Sequence, residues 1–542
     1  MLDIQILMVF MKKVAFFPQI HPKQKRSTLL ILTLLTTWFG QATGFLGMRM
    51  SAQAQQTLPF CQSLPQFVTQ KNTLRQQGFA GDRNAQQQYQ NLVAEDAQNL
   101  QRCRAQSWLK TQAVWLRLYE CDLQPGVLES VLDRMVSRGY NQVYLEVFYN
   151  GQVLLPQSEN RTVWPSVVRS PEFARRDLLA EAIQKARARG LKAYAWFFSL
   201  NYGYSYGNRA DRASTLARNG YGKTSLNVVD TTNTEIDISK GDIDKVFVDP
   251  YNLQARQDYS YMLQSVLQRR PDGALFDYIR YPRQTGGASI ANKLPDLWIF
   301  GGAAQQTLIS RATNAKGQAV IQKYLSQGTV TVDDLAAFDR SYPTEGEPLW
   351  QGRIVPTLLP GKPLPPAAVR LPRLQQDLWL LSVAHAYQGI VDFLNTAVAQ
   401  SNRQGAVAGA VFFPDGNRRI GQGFDSRMQP WDQFSPTIEW HSMSYGLCGG
   451  TSCIVEQVQR VVSQAPAGTR VNPVIAGAWS YPAYNRPSLE AQMNAIHQAV
   501  PQITAISHFD FSWQEPQLAN ARRVCKPNLI EAAAARPLGL GQ

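Results

Sequence analysis

Asp277 closes a short apolar run in Pro271-Asp-Gly-Ala-Leu-Phe-Asp-Tyr-Ile-Arg-Tyr-Pro282. A carboxylate placed this way sits at the carboxyl end of a strand, and in a barrel of parallel strands that end forms the mouth where chemistry is done. A negative charge there attacks or stabilises an oxocarbenium-like centre, so Asp277 is the candidate nucleophile or transition-state stabiliser for glycosidic bond cleavage. Arg280 and Tyr281 follow within four residues, and Arg280 is placed to keep the carboxylate ionised. The competing role is a plain Asp277–Arg280 ion pair that pins the loop.

Glycoside hydrolysis needs a second carboxyl group, roughly 5–5.5 Å away for retention or 6.5–9.5 Å for inversion. Asp415 in Phe412-Phe-Pro-Asp-Gly416 and Glu439 in Thr437-Ile-Glu-Trp-His441 are joint candidates for the acid/base, after a fifth strand and in a sixth. Asp415 before Gly416 is equally an ordinary turn residue. Glu146 and Asp510 also fall on or after strands, where a buried ion pair and a loop cap are their simpler roles. Tyr149, Asn150, Tyr278, Arg280, His441, Trp479 and Trp513 stand at or near strand ends as candidate sugar-binding residues, since aromatic faces there suit pyranose stacking. Trp479 and Trp513 are the better placed, whereas Trp196, inside a continuous apolar run, reads as core. His441 could also be satisfied locally within its strand.

Other chemistries lack their residues. The chain has no G-x-S-x-G elbow, H-E-x-x-H pair or P-loop. Its five histidines are scattered, so no metal site is expected, and nothing demands a cofactor.

The elements that must position these groups alternate along the chain. Apolar, β-rich runs begin near Ala113, Gln142, Leu191, Gly273, Ala406, Thr437, Val474 and Ile503. Amphipathic stretches separate most of them, at Val127–Arg138, Leu178–Arg189, Ala255–Gln268, Leu374–Gln400, Ile454–Val462 and Leu489–Val500. Eight strands in alternation with helices, and no Gly-rich phosphate turn after the first, predict an α/β fold of the (β/α)8 TIM-barrel type. Long insertions follow strand 3 (about 201–245) and strand 4 (about 283–372), where barrel enzymes build their sites.

Phe247-Val-Asp-Pro-Tyr-Asn252 precedes the predicted helix before strand 4. Asp249, Pro250, Asn252, Arg256, Asp272, Gly273, Asp277, Arg280, Tyr281 and Pro282 together resemble the glycosyl hydrolase-like 10 family, an α-amylase-clan-like (β/α)8 barrel. Gly190-Leu-Lys-Ala-Tyr-Ala-Trp-Phe-Phe198 resembles that family's third strand. The resemblance spans roughly 110–520 and implies a glycoside hydrolase. The α-amylase-like pattern places a Glu after strand 5, where this chain has Pro414-Asp415. Asp249-Pro250 ahead of a helix also reads as an N-cap with Pro at the first helical position.

The N-terminus reads as a targeting signal over residues 1–54. Lys12, Lys13, Lys23, Lys25 and Arg26 precede an apolar run from Leu29 to Phe39, and Ala52-Gln-Ala54 is a small-x-small cleavage pattern. An uncleaved anchor is the alternative; the run is short for a bilayer span. The chain carries +14 formally, and residues 1–54 hold six Lys or Arg against one Asp, which leaves +9 for the remainder. That balance suits an acidic glycan or simply solubility, and the export signal argues against nucleic acid.

Six cysteines fit an oxidising compartment. Cys61 and Cys103 lie symmetrically about a break near Asp82, so a helical hairpin over 55–109 would join them. Cys448 and Cys453 could close a small loop, and Cys121 and Cys525 could stitch the barrel's ends.

Together these features predict an exported, periplasmic or secreted protein. Its barrel, with a tail over 521–542, would act on an envelope or extracellular polysaccharide or oligosaccharide. A non-catalytic carbohydrate-binding barrel is the alternative. A structural role would instead require the 283–372 segment to plug the mouth.

Overall fold

A computed structural model describes residues 59–227, 245–284, 286–356, 363–536 and 538. Residues 1–54, where the sequence predicts a targeting signal, and the middle of the insertion after strand 3 lie outside the described residues. Eight parallel strands form the centre: β1 Thr111–Arg117, β2 Gln142–Tyr149, β3 Lys192–Phe198, β4 Gly273–Asp277, β5 Val407–Phe412, β6 Glu439–Ser442, β7 in two pieces (Arg470–Val471 and Val474–Ala476), and β8 Ala505–Phe509. Each pairs with the next in order, and β1 pairs with β8. Asn472-Pro473 interrupts β7; its first piece pairs with β6 and its second with β8, and Met443 bridges to Val474. The sheet therefore closes into a (β/α)8 barrel, as the alternating pattern predicts.

The strands are buried on both faces, which is why they read as continuous apolar runs rather than alternating ones. Bulky rings fill the interior. The Trp115 ring meets Tyr144 edge-on at 4.7 Å and Trp196 at 4.8 Å, and its indole N–H donates to Ser507 Oγ at 3.1 Å. Small residues make room for them. A Cβ at Gly273 would lie 2.4 Å from the Tyr194 ring, and one at Gly409 would lie 2.7 Å from Leu275.

Two helices, α1 Pro65–Phe79 and α2 Arg83–Gln106, precede the barrel as a hairpin. The Asp82 carboxylate caps α2 by accepting from the Asn84 and Ala85 amides. The Cys61–Cys103 disulfide ties its open end, and Cys121–Cys525 and Cys448–Cys453 are also bonded. The hairpin docks on α3 Val127–Ser137 and α4 Leu178–Arg187 through a buried charge cluster. There Asp133 accepts from Arg75 at 3.0 Å, from Arg189 at 2.8 Å and from the Tyr89 hydroxyl at 2.8 Å.

The remaining barrel helices are α5 Leu253–Leu267 before β4, α9 Ala367–Arg403 before β5, α10 Ser452–Gln464 before β7 and α11 Leu489–Ala499 before β8. Between β5 and β6 the described chain forms only the short helix Trp431–Gln433 and two short strands, so one crossover lacks its α-helix. The insertion after β4 folds as α6 Gly302–Ile309, α7 Ala315–Gln327 and α8 Val332–Ser341. α9 begins seven residues before the expected Leu374 and carries Pro372 inside it. After β8, α12 Pro516–Val524 and α13 Pro527–Ala534 pack back on the hairpin side, where the Ala534 carbonyl accepts from Arg134 at 3.0 Å and Asn72 at 3.4 Å.

The N-cap of α5 is Asn252, which accepts from the Ala255 amide, and not Asp249. Asp249 instead accepts from the Tyr251 amide at 2.9 Å and the Ala304 amide at 3.0 Å, so it ties the loop after β3 to the first turn of α6.

Candidate active site

A cleft of about 580 Å³ opens at the carboxyl ends of the strands, lined by three carboxylic side chains, Glu146, Asp277 and Asp510. Asp277 is the last residue of β4. Its Oδ2 accepts the Trp196 indole N–H at 3.1 Å and its Oδ1 accepts the Tyr278 amide at 2.6 Å. Tyr278 adopts φ +50°, which turns the chain out of the strand at that point. Burial raises the Asp277 pKa to about 6; the Tyr278 amide, the Arg280 charge and the Trp196 N–H oppose that rise, and the negative charge of Glu146 adds to it. Arg280 thus favours the ionised form, as expected, but desolvation outweighs it. The Arg280 guanidinium lies 4.8 Å from the Tyr278 ring centre and donates to the Tyr281 carbonyl at 2.9 Å.

Glu146 is held from β1. Nη2 of Arg117 donates to Oε1 at 3.1 Å and Nε donates to Oε2, a bidentate pair that fixes the carboxylate's orientation. The same guanidinium covers the Tyr149 ring at 4.6 Å. Asp510 follows β8 and caps the short helix Phe511–Gln514: its Oδ1 accepts from Ser512 Oγ at 2.5 Å and from the Trp513 amide at 3.1 Å. Burial raises its pKa, against these donors and the charge of Arg117. The ion-pair and capping roles open to Glu146 and Asp510 from sequence are both present, and both groups still face the cleft. The buried Tyr445 hydroxyl sits in the field of Asp277 and Asp510 together, which adds to the effect of burial in raising its pKa.

One wall is aromatic. The Trp513 and Tyr484 rings stand 4.5 Å apart, and both line the cleft. Arg486, 1% exposed, fastens that wall. It donates to the Tyr445 carbonyl at 2.9 Å and the Tyr484 carbonyl at 3.0 Å, and lies 6.0 Å from the Trp513 ring centre. The Cys448–Cys453 loop supports the same segment, where the Gly449 amide donates to the Asn485 carbonyl at 3.1 Å.

Of the residues singled out in the sequence, the cleft gathers Asp277, Asn150, Tyr278, Arg280 and Trp513. The two candidate acid/base residues do not join them. Asp415 sits in a turn and pairs with Arg418 at 3.0 Å. Glu439 is the first residue of β6, so it lies at the amino end of the barrel, where it pairs with Arg470 at 3.2 Å and His441 at 3.3 Å. His441 is fully buried in the barrel interior beside Tyr144, not at the mouth. Trp479 is buried too, its indole N–H shared between the Tyr140 hydroxyl at 3.1 Å and Gln514 Oε1 at 3.0 Å. Tyr149 is 7% exposed and lies beneath Arg117. Trp196, read as core, is buried and yet reaches the cleft through the indole N–H that holds Asp277. None of the described residues of the 283–372 segment past Arg280 lines the cleft, so they do not plug the mouth.

Arg117, Tyr445, Tyr484 and Arg523 also line the cleft, and no motif in the sequence marks them. Arg117 carried a usable signal, a lone charge at the last position of a strand.

No family model and no curated protein matches the chain. Solved structures similar to it include the PgaB (BpsB) glycoside hydrolase domain from Bordetella bronchiseptica, at 14% identity over 77% of this chain and 99% of that one, with a TM-score of 0.41. A GH20 exo-β-N-acetylglucosaminidase from Vibrio harveyi is similar at 9% identity over 79% of this chain and 54% of that one, with a TM-score of 0.37. A GH20 catalytic module of the pneumococcal exo-β-D-N-acetylglucosaminidase StrH is similar at 10% identity, covering 81% and 85% of the two chains, with a TM-score of 0.38.

Proposed function

We propose that the protein hydrolyses O-glycosidic bonds of an extracellular or cell-envelope polysaccharide, with Asp277 as its central carboxylate. The observation that carries this reading is the set of three carboxylic groups around one open cleft, with Asp277 and Asp510 pushed up by burial and Glu146 clamped by Arg117. Asp277 is ionised above about pH 6 and more basic than a solvated carboxylate, and donors on both oxygens fix its direction. That is the state a nucleophile or a stabiliser of an oxocarbenium-like centre requires. Asp510, which faces the same cleft and whose pKa burial also raises, is the candidate to carry a proton to the leaving oxygen. Glu146, clamped by Arg117, contributes a fixed negative field to the same space. Trp513 and Tyr484 offer flat faces for a pyranose ring.

Three disulfides fit an oxidising compartment, and with the targeting segment they support export to the periplasm or beyond. Among the described residues no helix is long and apolar enough to cross a membrane.

The test is hydrolysis of a panel of envelope and reserve polysaccharides by the wild type, Asp277→Asn and Asp510→Asn. Asp277→Asn should lose at least about a thousandfold in rate while keeping its fold. Asp510→Asn should lose about 10²–10⁴-fold on natural linkages and much less on aryl glycosides, whose leaving groups need no proton. Cleavage that survives Asp277→Asn would remove this residue from the mechanism.

A further inference from the structure

Helix α12 presents Pro516, Ala519, Asn520 and Arg523 to the cleft, a spacing that places all four on one helical face. Its position against β1 is fixed. Arg522, one step around the helix, is buried in a bidentate pair with Asp122 at 2.7 and 2.6 Å and also donates to the Arg117 carbonyl at 3.0 Å. The Cys121–Cys525 disulfide secures the helix end to the loop after β1.

This wall is cationic where it meets solvent. Arg523 is exposed, and among the described residues no carboxylate lies within ion-pair distance of it; its Nη2 donates only to Asn520 at 3.3 Å. The Arg117 side chain keeps 39% of its surface exposed despite its pair with Glu146. That pair uses Nε and Nη2, and among the described residues Nη1 makes no hydrogen bond. Of the nearby carboxylates, Glu146 and Asp122 are each matched by an arginine and Asp510 lies in the field of Arg117. Arg523 stands as a positive charge with no carboxylate of its own among the described residues, on a rigid wall beside the Trp513 face.

We propose that this wall is an anion subsite and that the substrate is an acidic polysaccharide, with the carboxylate or sulfate of one sugar held by Arg523 and Nη1 of Arg117. The inference rests on the hydrolase reading for the identity of the ligand as a glycan. A planar guanidinium fork on a fixed helix suits such a group, and the contact is partly screened by solvent.

The experiment is titration of full-length Asp277→Asn protein, in which turnover should be slowed about a thousandfold, with three oligosaccharides of equal length: an oligogalacturonate, its methyl ester and a sulfated galactan. At low salt at least one of the two acids should bind about tenfold more tightly than the ester, and the preference should shrink as salt is added. Which acid is preferred identifies the anionic group. Arg523→Gln in the same background should weaken the preferred acid about fivefold and leave the ester unchanged. Equal binding of acid and ester, equal weakening of both by Arg523→Gln, or no binding of any of the three would overturn the subsite. If the wild type binds with that preference but cleaves no polysaccharide, the hydrolase reading fails and the subsite stands. If it cleaves neutral glycans without preferring acids, the reverse holds.

Discussion

Replacing Asp277 by Asn should make the protein more stable at neutral pH and no more stable at pH 4. The folded-state pKa of Asp277 is about 6, above the roughly 3.9 of an unfolded aspartate. A raised pKa means that the native state binds the proton more tightly, so this group's contribution to stability is complete below about pH 4. It falls as pH rises toward 6, and is flat above that. Two pH units correspond to about 3 kcal/mol, the energy by which burying the charge opposes folding at pH 7. Asparagine never ionises. Both partners are N–H donors, so its single carbonyl oxygen can accept from the Trp196 indole or the Tyr278 amide but not from both, and the lost acceptor adds a pH-independent cost of about 1 kcal/mol. Urea unfolding of the oxidised wild type and variant at pH 4, 5, 6, 7 and 8 checks this. The variant should be about 1 kcal/mol less stable than the wild type at pH 4, gain through pH 5 and 6, and level off at an advantage of up to about 2 kcal/mol. Asp249, whose pKa burial also raises to about 6, is common to both proteins and cancels in the difference. An advantage that is constant with pH, or a loss at pH 7, would refute the claim that desolvation governs Asp277.

Asp133→Asn should destabilise the fold by about 3–5 kcal/mol at pH 7, because it strands Arg75 and Arg189 in a buried site. Burial opposes ionisation of Asp133, but Arg189, Lys71 and Arg75 together pull its pKa down to about 2, so the wild type loses this advantage only as pH falls from about 4 toward 2. The gap in stability between the two proteins, measured by denaturant unfolding, should therefore be narrower at pH 3 than at pH 7, by about 1 kcal/mol, and limited proteolysis should find the α1–α2 hairpin loosened first. Arg486→Gln should raise KM about tenfold and change kcat less, because it frees the backbone of the Tyr445–Tyr484–Trp513 wall that Arg486 holds. An unchanged KM, with unaltered quenching of Trp513 fluorescence by oligosaccharide, would show that the wall does not depend on it.

Much of the barrel is legible in the sequence because parallel strands covered on both faces must be apolar throughout, and Gly or turn residues punctuate them. The run beginning at Val474 marks only the second piece of β7, because Asn472-Pro473 splits its five paired residues. The site is less legible for a geometric reason. A continuous run such as Lys192–Phe198 does not declare which face of each residue points inward, so Trp196 reads as packing although its indole reaches Asp277. Glu439 misleads because the apolar run begins before the strand does. Pairing starts at Glu439 itself and puts it at the wrong end of the barrel. Asp277 could be placed because the strand ends on it, and Asp510 because it follows Phe509 directly. Arg523 could not, since its place in the cleft depends on how a helix after the last strand folds back.

The Cys121–Cys525 bond joins the loop after the first strand to the helix after the last, across 404 residues. A chain made from its N-terminus releases Cys61, Cys103 and Cys121 well before Cys525, and at about 5–20 residues per second the wait for Cys525 is roughly 20–80 s. Early closure of Cys61–Cys103 within its own hairpin leaves Cys121 as the single unsatisfied thiol of the N-terminal portion during that interval. In the native pairing it is consumed only once β8 is complete and α12 is seated. A free Cys121 is therefore a chemical tally of unfinished barrels, readable with a thiol probe and available to any oxidoreductase that sorts complete chains from incomplete ones.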